Sequence, residues 1–351
     1  MIIGVDCGCL GIKDKYQQTG VWRFAVEILS SLTHKDKKNQ YLLYSFEKIP
    51  PEILGIFGQH VKNLVLKPKK FWLSGRLSAE FLIRKPDLFL GLSQALPFYH
   101  PYPSIVFVHD LAFEKYPQAY GNSYKRLSRQ TKFAVKHANK IVAVSNATKG
   151  DLVKLYGVAE NKIEVIYHGV GNNFQPKEGQ KTRKPTILFV GTLKPVKNIK
   201  KLVAAFKNFN RKMKNNYQLV LAGTNELKIP SDEEVKVVGF VDDKDLPSIY
   251  SAAEIFLSPA LSEGFGLPIA EAMACGLPVV TSDIPSSHEI AGSAALYADP
   301  DNINDISEKL YLLATDRKLA KKLGQEGIKR AKMFTWEKSA EKLLGIINQY
   351  A

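Results

Sequence analysis

Short apolar runs separated by segments of helical spacing recur along the whole chain. Residues 2–5, 41–46, 63–66, 88–92, 105–108, 141–144 and 162–167 are rich in β-branched and aromatic side chains and predict strands. Between the first two, Val21, Phe24, Ala25, Ile28, Leu29 and Leu32 fall at the period of a helix buried on one face. Residues 124–140 predict a basic helix with Leu127, Phe133, Ala134 and Ala138 as its apolar stripe. Ser145-Asn146 predicts the start of a helix running to Tyr156, because a short polar side chain there accepts from otherwise unpaired amides. Residues 171–185, GNNFQPKEGQKTRKP, are polar, carry Gly and Pro, and have no periodicity, which predicts a linker. The alternation then restarts. Strands are expected at 186–190, 218–221, 235–238 and 254–257, and helices at 198–213 and 246–252.

Strands alternating with helices predict α/β architecture with doubly wound parallel sheets. A chain of 351 residues exceeds one ordinary core. The expected domains are therefore 1–170 and 171–334, with a cleft between them as the favoured ligand site. In such sheets ligands bind beyond the strand carboxyl ends. There stand Gly20, opening the first helix, His109 after the strand at 105–108, and His168 after that at 162–167. In the second half GTLKPVKN, residues 191–198, joins a buried strand to a helix. A lysine in that turn suits a phosphate, helped by the helix N-terminus.

Residues 258–282, SPALSEGFGLPIAEAMACGLPVVTS, concentrate the most unusual choices. Gly264 and Gly266 let the backbone approach a ligand, and Pro268 suits a first helical turn. Glu263 and Glu271 lie eight positions apart, the second among Ile269, Ala270, Ala272, Met273 and Ala274. A glutamate in so apolar a helix calls for a partner or a ligand. A carboxylate has two acceptor oxygens and no donor, which fits paired hydroxyls of a ribose.

Composition changes this picture little, but charge does. Residues 1–170 hold 24 Lys and Arg against 13 Asp and Glu, a net +11 of the whole chain's +15. That asymmetry points to an anionic partner or a surplus of solvated lysines. Lys67-Pro-Lys-Lys-Phe-Trp-Leu73 with Arg76 forms a basic-aromatic stretch. It suits an anionic membrane surface, or a solvated loop with its aromatics tucked inwards. No recognisable nucleic-acid module is present, so nucleic acid is not an expected partner. Three cysteines, Cys7, Cys9 and Cys275, make neither a disulfide framework nor a zinc set, and suggest a reducing, cytoplasmic compartment. No apolar run is long enough to span a bilayer, and the N-terminus reads as a strand without a basic leader.

Glu263-x7-Glu271 within EGFGLPIAEAMACGLPVV resembles the retaining, nucleotide-sugar-dependent glycosyltransferases of family four, which have the GT-B fold. TGVWRF at 19–24, VHDLAF at 108–113, VSNATKGDL at 144–152, VIYHGV at 165–170, VGTLKPVKN at 190–198 and SSHEIAGSAALYADP at 286–300 carry the resemblance over most of the chain. It implies two Rossmann-like domains facing a cleft, an acceptor-side first domain and a nucleotide-sugar-binding second one. Residues 335–351 would pack back on the first domain. It also implies roles. Lys197 would bind the donor diphosphate, Glu271 the ribose and Glu263 the transferred sugar. Gly264, Gly266 and the amides of Phe265 to Leu267 would hold sugar and phosphate. His109 would lie beside the transferred sugar, Gly20 near the diphosphate, and Phe240, Val241 and Gly223 near the base. No metal or other cofactor is expected; cationic side chains and helix dipoles would stabilise the leaving diphosphate.

Two positions depart from the family pattern. Thr192 stands where many relatives have an arginine, leaving that diphosphate role to Lys194, a backbone amide or nothing. A threonine there resembles O-antigen and capsule mannosyltransferases and tilts the donor towards GDP-mannose over UDP- or ADP-sugars. His288 stands where a proline is more usual. The expected activity is hexose transfer to a glycan or lipid-linked acceptor in cell-surface polysaccharide synthesis, with the enzyme peripheral on the inner membrane face. A GT-B epimerase or phosphorylase and a basic nucleic-acid-binding protein are the alternatives.

Overall fold

The computed structural model describes residues 1–12, 20–177, 182 and 184–351. The polar loop up to Thr19 and the middle of the linker, 178–181 with 183, lie outside them. The chain forms two compact units: Met1–Gly169 with Trp336–Ala351, and Val170–Thr335.

The first unit is built on seven parallel strands: β1 Ile2–Asp6, β2 Gln40–Ser45, β3 Val61–Val65, β4 Leu88–Gly91, β5 Ser104–Val108, β6 Lys140–Ala143 and β7 Ile163–Val165. Their order is β3-β2-β1-β4-β5-β6-β7, so the winding reverses between β1 and β4. β4 and β5 are buried along their whole length, which is why their sequences are continuous apolar runs and not alternating ones. The helix Gly20–Lys35 buries Phe24, Ala25, Ile28, Leu29 and Leu32, the stripe expected from its period. Ser145 caps Asn146–Tyr156 by accepting from the Thr148 amide at 3.0 Å.

The helix Trp336–Ile347 belongs to this unit although it ends the chain. Buried Trp336 meets Phe24 at 6.1 Å, and Ser339 donates to the Tyr167 carbonyl at 2.5 Å. Lys35 and Glu341 add an exposed ion pair at 3.0 Å. The apolar contact carries the energy, since exposed pairs contribute little.

The basic-aromatic stretch proves to be partly an inward-facing segment. Residues Trp72–Leu77 and Ser78–Ile83 are helical. Trp72 donates to Asp6 Oδ1 at 3.0 Å and meets Phe46 edge-on at 5.5 Å. Arg76 pairs with buried Glu80 at 2.9 Å and donates to the Lys67 carbonyl at 3.0 Å. Burial raises the Asp6 pKa, against the opposing bonds from Trp72, Gly8 and Ser93.

The second unit has six parallel strands: β8 Thr186–Val190, β9 Gln218–Ala222, β10 Val235–Gly239, β11 Ile255–Ser258, β12 Val279–Ser282 and β13 Ala295–Ala298. Their order is β10-β9-β8-β11-β12-β13, reversing between β8 and β11. The loops leaving these two strands therefore open at the switch point, where a crevice forms. Among the described residues no helix is long and apolar enough to cross a membrane.

Candidate functional site

In the second unit the loops after β8 and β11 are stitched together. The chain leaves β8 through Gly191, makes a 3-10 turn at Pro195–Lys197 and enters the helix Ile199–Lys212 through Asn198 at φ 60°. Asn tolerates this left-handed backbone better than most side chains. Its amide donates to the carbonyls of Pro259 at 3.0 Å and Pro300 at 2.7 Å. The Leu261 amide donates to the Val196 carbonyl at 2.9 Å. Lys197 and Glu263 then meet as an ion pair, with side chains 17% and 13% exposed.

Beyond Glu263, Phe265 is buried edge-on against Phe334 at 5.4 Å, which anchors the loop between Gly264 and Gly266. Gly266 takes φ 91° and leads into the helix Leu267–Ala274. That backbone is costly for any residue with a Cβ, so glycine is dictated here. Leu267, the first helical residue, has no acceptor for its amide within the helix. One turn on, Glu271 is 2% exposed. Its Oε2 accepts from the Tyr250 hydroxyl at 2.8 Å, from the helix Leu246–Ala252. The buried glutamate thus has the partner that its surroundings called for, and its burial alone does not require a ligand.

The loops after β9 and β10 join the same edge through backbone bonds. Gly191 donates to Ala222 at 2.8 Å, Leu193 to Thr224 at 2.8 Å and Gly223 to Gly239 at 2.7 Å. Gly223 has φ 144°, and a Cβ there would lie 2.0 Å from the Gly191 carbonyl oxygen. Close packing of two loops therefore accounts for this glycine. Phe240 and Val241, both half-buried, follow directly after β10. Thr192 sits half-buried between Gly191 and Leu193, its carbonyl accepting from the Lys194 amide at 2.9 Å.

Gly20 and His109 belong to the first unit, at carboxyl ends of its sheet. Gly20 is exposed, and a Cβ there would touch nothing within 4 Å. Phe24, one turn along the helix that Gly20 opens, meets the His109 ring edge-on at 4.8 Å. His109 Nε2 lies 2.7 Å from the Leu92 carbonyl, so Nε2 carries the hydrogen and Nδ1 the lone pair. Its backbone amide donates to Gln94 at 3.1 Å. Burial lowers the His109 pKa, opposed by the Leu92 bond and by Asp110. His168 stacks on Phe24 at 4.8 Å and on Trp336 at 5.7 Å. Burial, then His109, holds its pKa well below the ordinary histidine range. Both imidazoles are neutral at neutral pH.

His288, the second departure from the expected pattern, pairs with Asp283 at 2.6 Å and stacks on Tyr297 at 3.7 Å. Asn198 and Tyr250 were not candidates from the sequence. The first had a readable signal, an asparagine placed immediately before a helix. The second had none, because Tyr250 meets Glu271 only through the packing of two helices. Among the described residues, no group of three or more His, Cys, Asp or Glu is placed to hold a metal ion.

Residues 171–330 match the family model described as glycosyl transferases group 1, and residues 20–172 match that of glycosyltransferase family 4. The chain is 26% identical over 369 residues to O-antigen chain mannosyltransferase B of Escherichia coli, covering 92% of this chain and 94% of that one. In fold it is similar to sucrose-phosphate synthase from Thermosynechococcus elongatus, with TM-score 0.80, 19% identity, and coverage of 99% and 98%. It is also similar to Anabaena HepE solved with UDP and glucose, with TM-score 0.76, 17% identity, and coverage of 99% of both chains.

Proposed function

The chain belongs to the family four glycosyltransferases of the GT-B fold, and from that premise we propose that it transfers mannose from a nucleotide-diphosphate donor with retention of anomeric configuration. The acceptor is a glycan or lipid-linked saccharide at an anionic membrane face on the cytoplasmic side. The observation that carries the donor assignment is the stitched edge of the second unit, where Lys197 and Glu263 meet beside the helix that holds Glu271. The mannose lean rests on the E. coli mannosyltransferase relative and on Thr192.

Each group has a chemical task in this reading. Lys197 offers a compact cation to the diphosphate, and the Leu267 end of its helix offers unpaired amides and a positive dipole end. Together they stabilise negative charge that grows as the sugar–phosphate bond breaks, and no metal is invoked. Glu263 exchanges its ion pair for a hydroxyl of the transferred sugar. Glu271, steadied by Tyr250, accepts from ribose hydroxyls. The leaving phosphate takes the acceptor proton on the face that the sugar vacates. Neutral His109, with its Nδ1 lone pair set by the Leu92 bond, suits accepting from a hydroxyl at the first unit's own edge. The base would lie against Phe240 and Val241.

The test is transfer from a panel of GDP-mannose, UDP-glucose and ADP-glucose, with product mass and proton NMR of the new glycosidic bond. Transfer from GDP-mannose with retained configuration is expected. An inverted product, or epimerised donor without transfer, overturns the reading.

A further inference from the structure

One face of the first unit leaves large apolar side chains in solvent. Leu82 is 65% exposed, Ile83 79%, Phe98 60% and Tyr99 39%. Two contacts bring the segments that carry them together. The Tyr99 amide donates at 3.2 Å to Ser78, which lies one turn from Leu82 on the helix Ser78–Ile83. Phe98 meets Phe133 of the helix Ser123–His137 edge-on at 4.9 Å. Arg129, Lys136 and His137 share the Phe133 face of that helix, at three- and four-residue spacing. The His137 ring lies tilted against Phe133 at 4.5 Å.

The charge on this surface is mostly positive; exposed Asp87, four residues from Ile83, accepts from the Ile2 amide at 2.7 Å. No Asp or Glu occurs at 88–109 or at 115–150, while the second stretch holds eight Lys and Arg. The nearest carboxylates are engaged. Buried Glu80 pairs with Arg76 and Arg84, and Glu114 accepts from Tyr124, Ser128 and Tyr156. Among the described residues, Lys85, Lys125, Arg126, Arg129 and Lys136 make no ion pair. The His137 pKa is lowered by burial and then by His100, Lys136 and Lys162, as a local positive field requires.

We propose that this face docks on an anionic phospholipid bilayer, with Leu82, Ile83, Phe98 and Tyr99 entering the headgroup boundary and the surrounding Lys and Arg meeting lipid phosphates. Isolated protruding aliphatic and aromatic side chains ringed by cations suit an interface that is apolar below and anionic above. A nucleic acid would instead need aromatic faces offered for base stacking, and Leu82 and Ile83, the most exposed apolar pair of this face, offer none. The segments carrying the patch lead into the amino ends of β4, β5 and β6, whereas Gly20 and His109 stand at carboxyl ends. The proposal rests on the membrane-facing reading above, which it deepens by naming the contact surface.

The experiment is co-sedimentation of the full chain with vesicles of phosphatidylcholine alone or mixed with phosphatidylglycerol, at low and physiological salt. Binding to the mixed vesicles only, weakening with salt, is expected. Arg126→Glu with Arg129→Glu should lower the partition coefficient by about ten-fold or more. Leu82→Ser with Ile83→Ser should lower it about five-fold while keeping the salt dependence. Both pairs lie on the surface and should melt like wild type. Failure to bind mixed vesicles overturns the proposal, as does wild-type binding by the charge-reversed pair. Release by RNA, with the apolar pair unaffected, also overturns it in favour of a polyanion surface. Donor turnover without vesicles separates the two readings. Intact turnover without vesicle binding overturns the docking face alone, and vesicle binding without turnover overturns the transfer reading alone.

Discussion

The two units present their strand carboxyl ends in different ways. In the second, the loops are fixed by left-handed glycines and by amide–carbonyl bonds from one loop to the next. Gly191, Gly223, Gly239 and Gly266 take positive φ, and Asn198 ties two carbonyls to one helix start. In the first, the corresponding edge is held by side-chain contacts, most of them through aromatic rings. Trp336 reaches Phe24, Trp72 reaches Asp6, and His109 reaches Leu92. A nucleotide diphosphate presents the same geometry every time, and fixed loops suit it. Acceptors vary more, and an edge assembled from side-chain contacts changes with any one of them.

The comparison can be broken at its tightest point first. Gly223→Ala forces a Cβ onto the Gly191 carbonyl at φ 144° and should destabilise the second unit by about 4 kcal/mol or more, read by chemical denaturation. A near-native variant would mean that these loops are not fixed by close packing. Trp336→Ala should cost the first unit about 3 kcal/mol, because it removes the aromatic seat of Phe24 and His168. Equal melting of variant and wild type would show the terminal helix to be dispensable. Lys197→Ala should slow transfer about a hundred-fold or more and, because it leaves the largely buried Glu263 without its cation, should also lower the melting point.

The smallest effect is on pH. His168 and His109 have lowered pKa values in the folded chain, so the unfolded chain binds protons first as pH falls through the ordinary value of 6.5. Stability is therefore complete above that value and is lost on acidification below it, by up to about 1.4 kcal/mol per pH unit for each group. Denaturation midpoints across this window should fall for wild type and flatten for His168→Phe. A wild-type curve that rises on acidification would contradict the buried neutral pair.

The strand ladder was legible because buried parallel strands are continuous apolar runs, as at Ile105–Val108 and Thr186–Val190. Glu271 was legible as buried, since its neighbours are apolar, but Tyr250 was not visible as its partner. The sequence left Lys67–Arg76 open between a membrane-suited stretch and a solvated loop with its aromatics inwards, and Trp72 and Arg76 do turn inwards. Phe71 of that stretch stays 68% exposed beside exposed lysines, and a further exposed apolar surface lies on residues brought together by the fold. The helices Ile303–Thr315 and Arg317–Ala331 went unread although Asn302 and Asp316 cap them, because short polar caps are common outside helices too.

The central claim is that the second unit's carboxyl edge holds the donor nucleotide through Lys197 and Glu271. Calorimetric titration of GDP-mannose into wild type, Lys197→Ala and Glu271→Gln tests it most directly. Binding by wild type, weakened about ten-fold or more in each variant, is the predicted result. Wild-type affinity in both folded variants would contradict the claim.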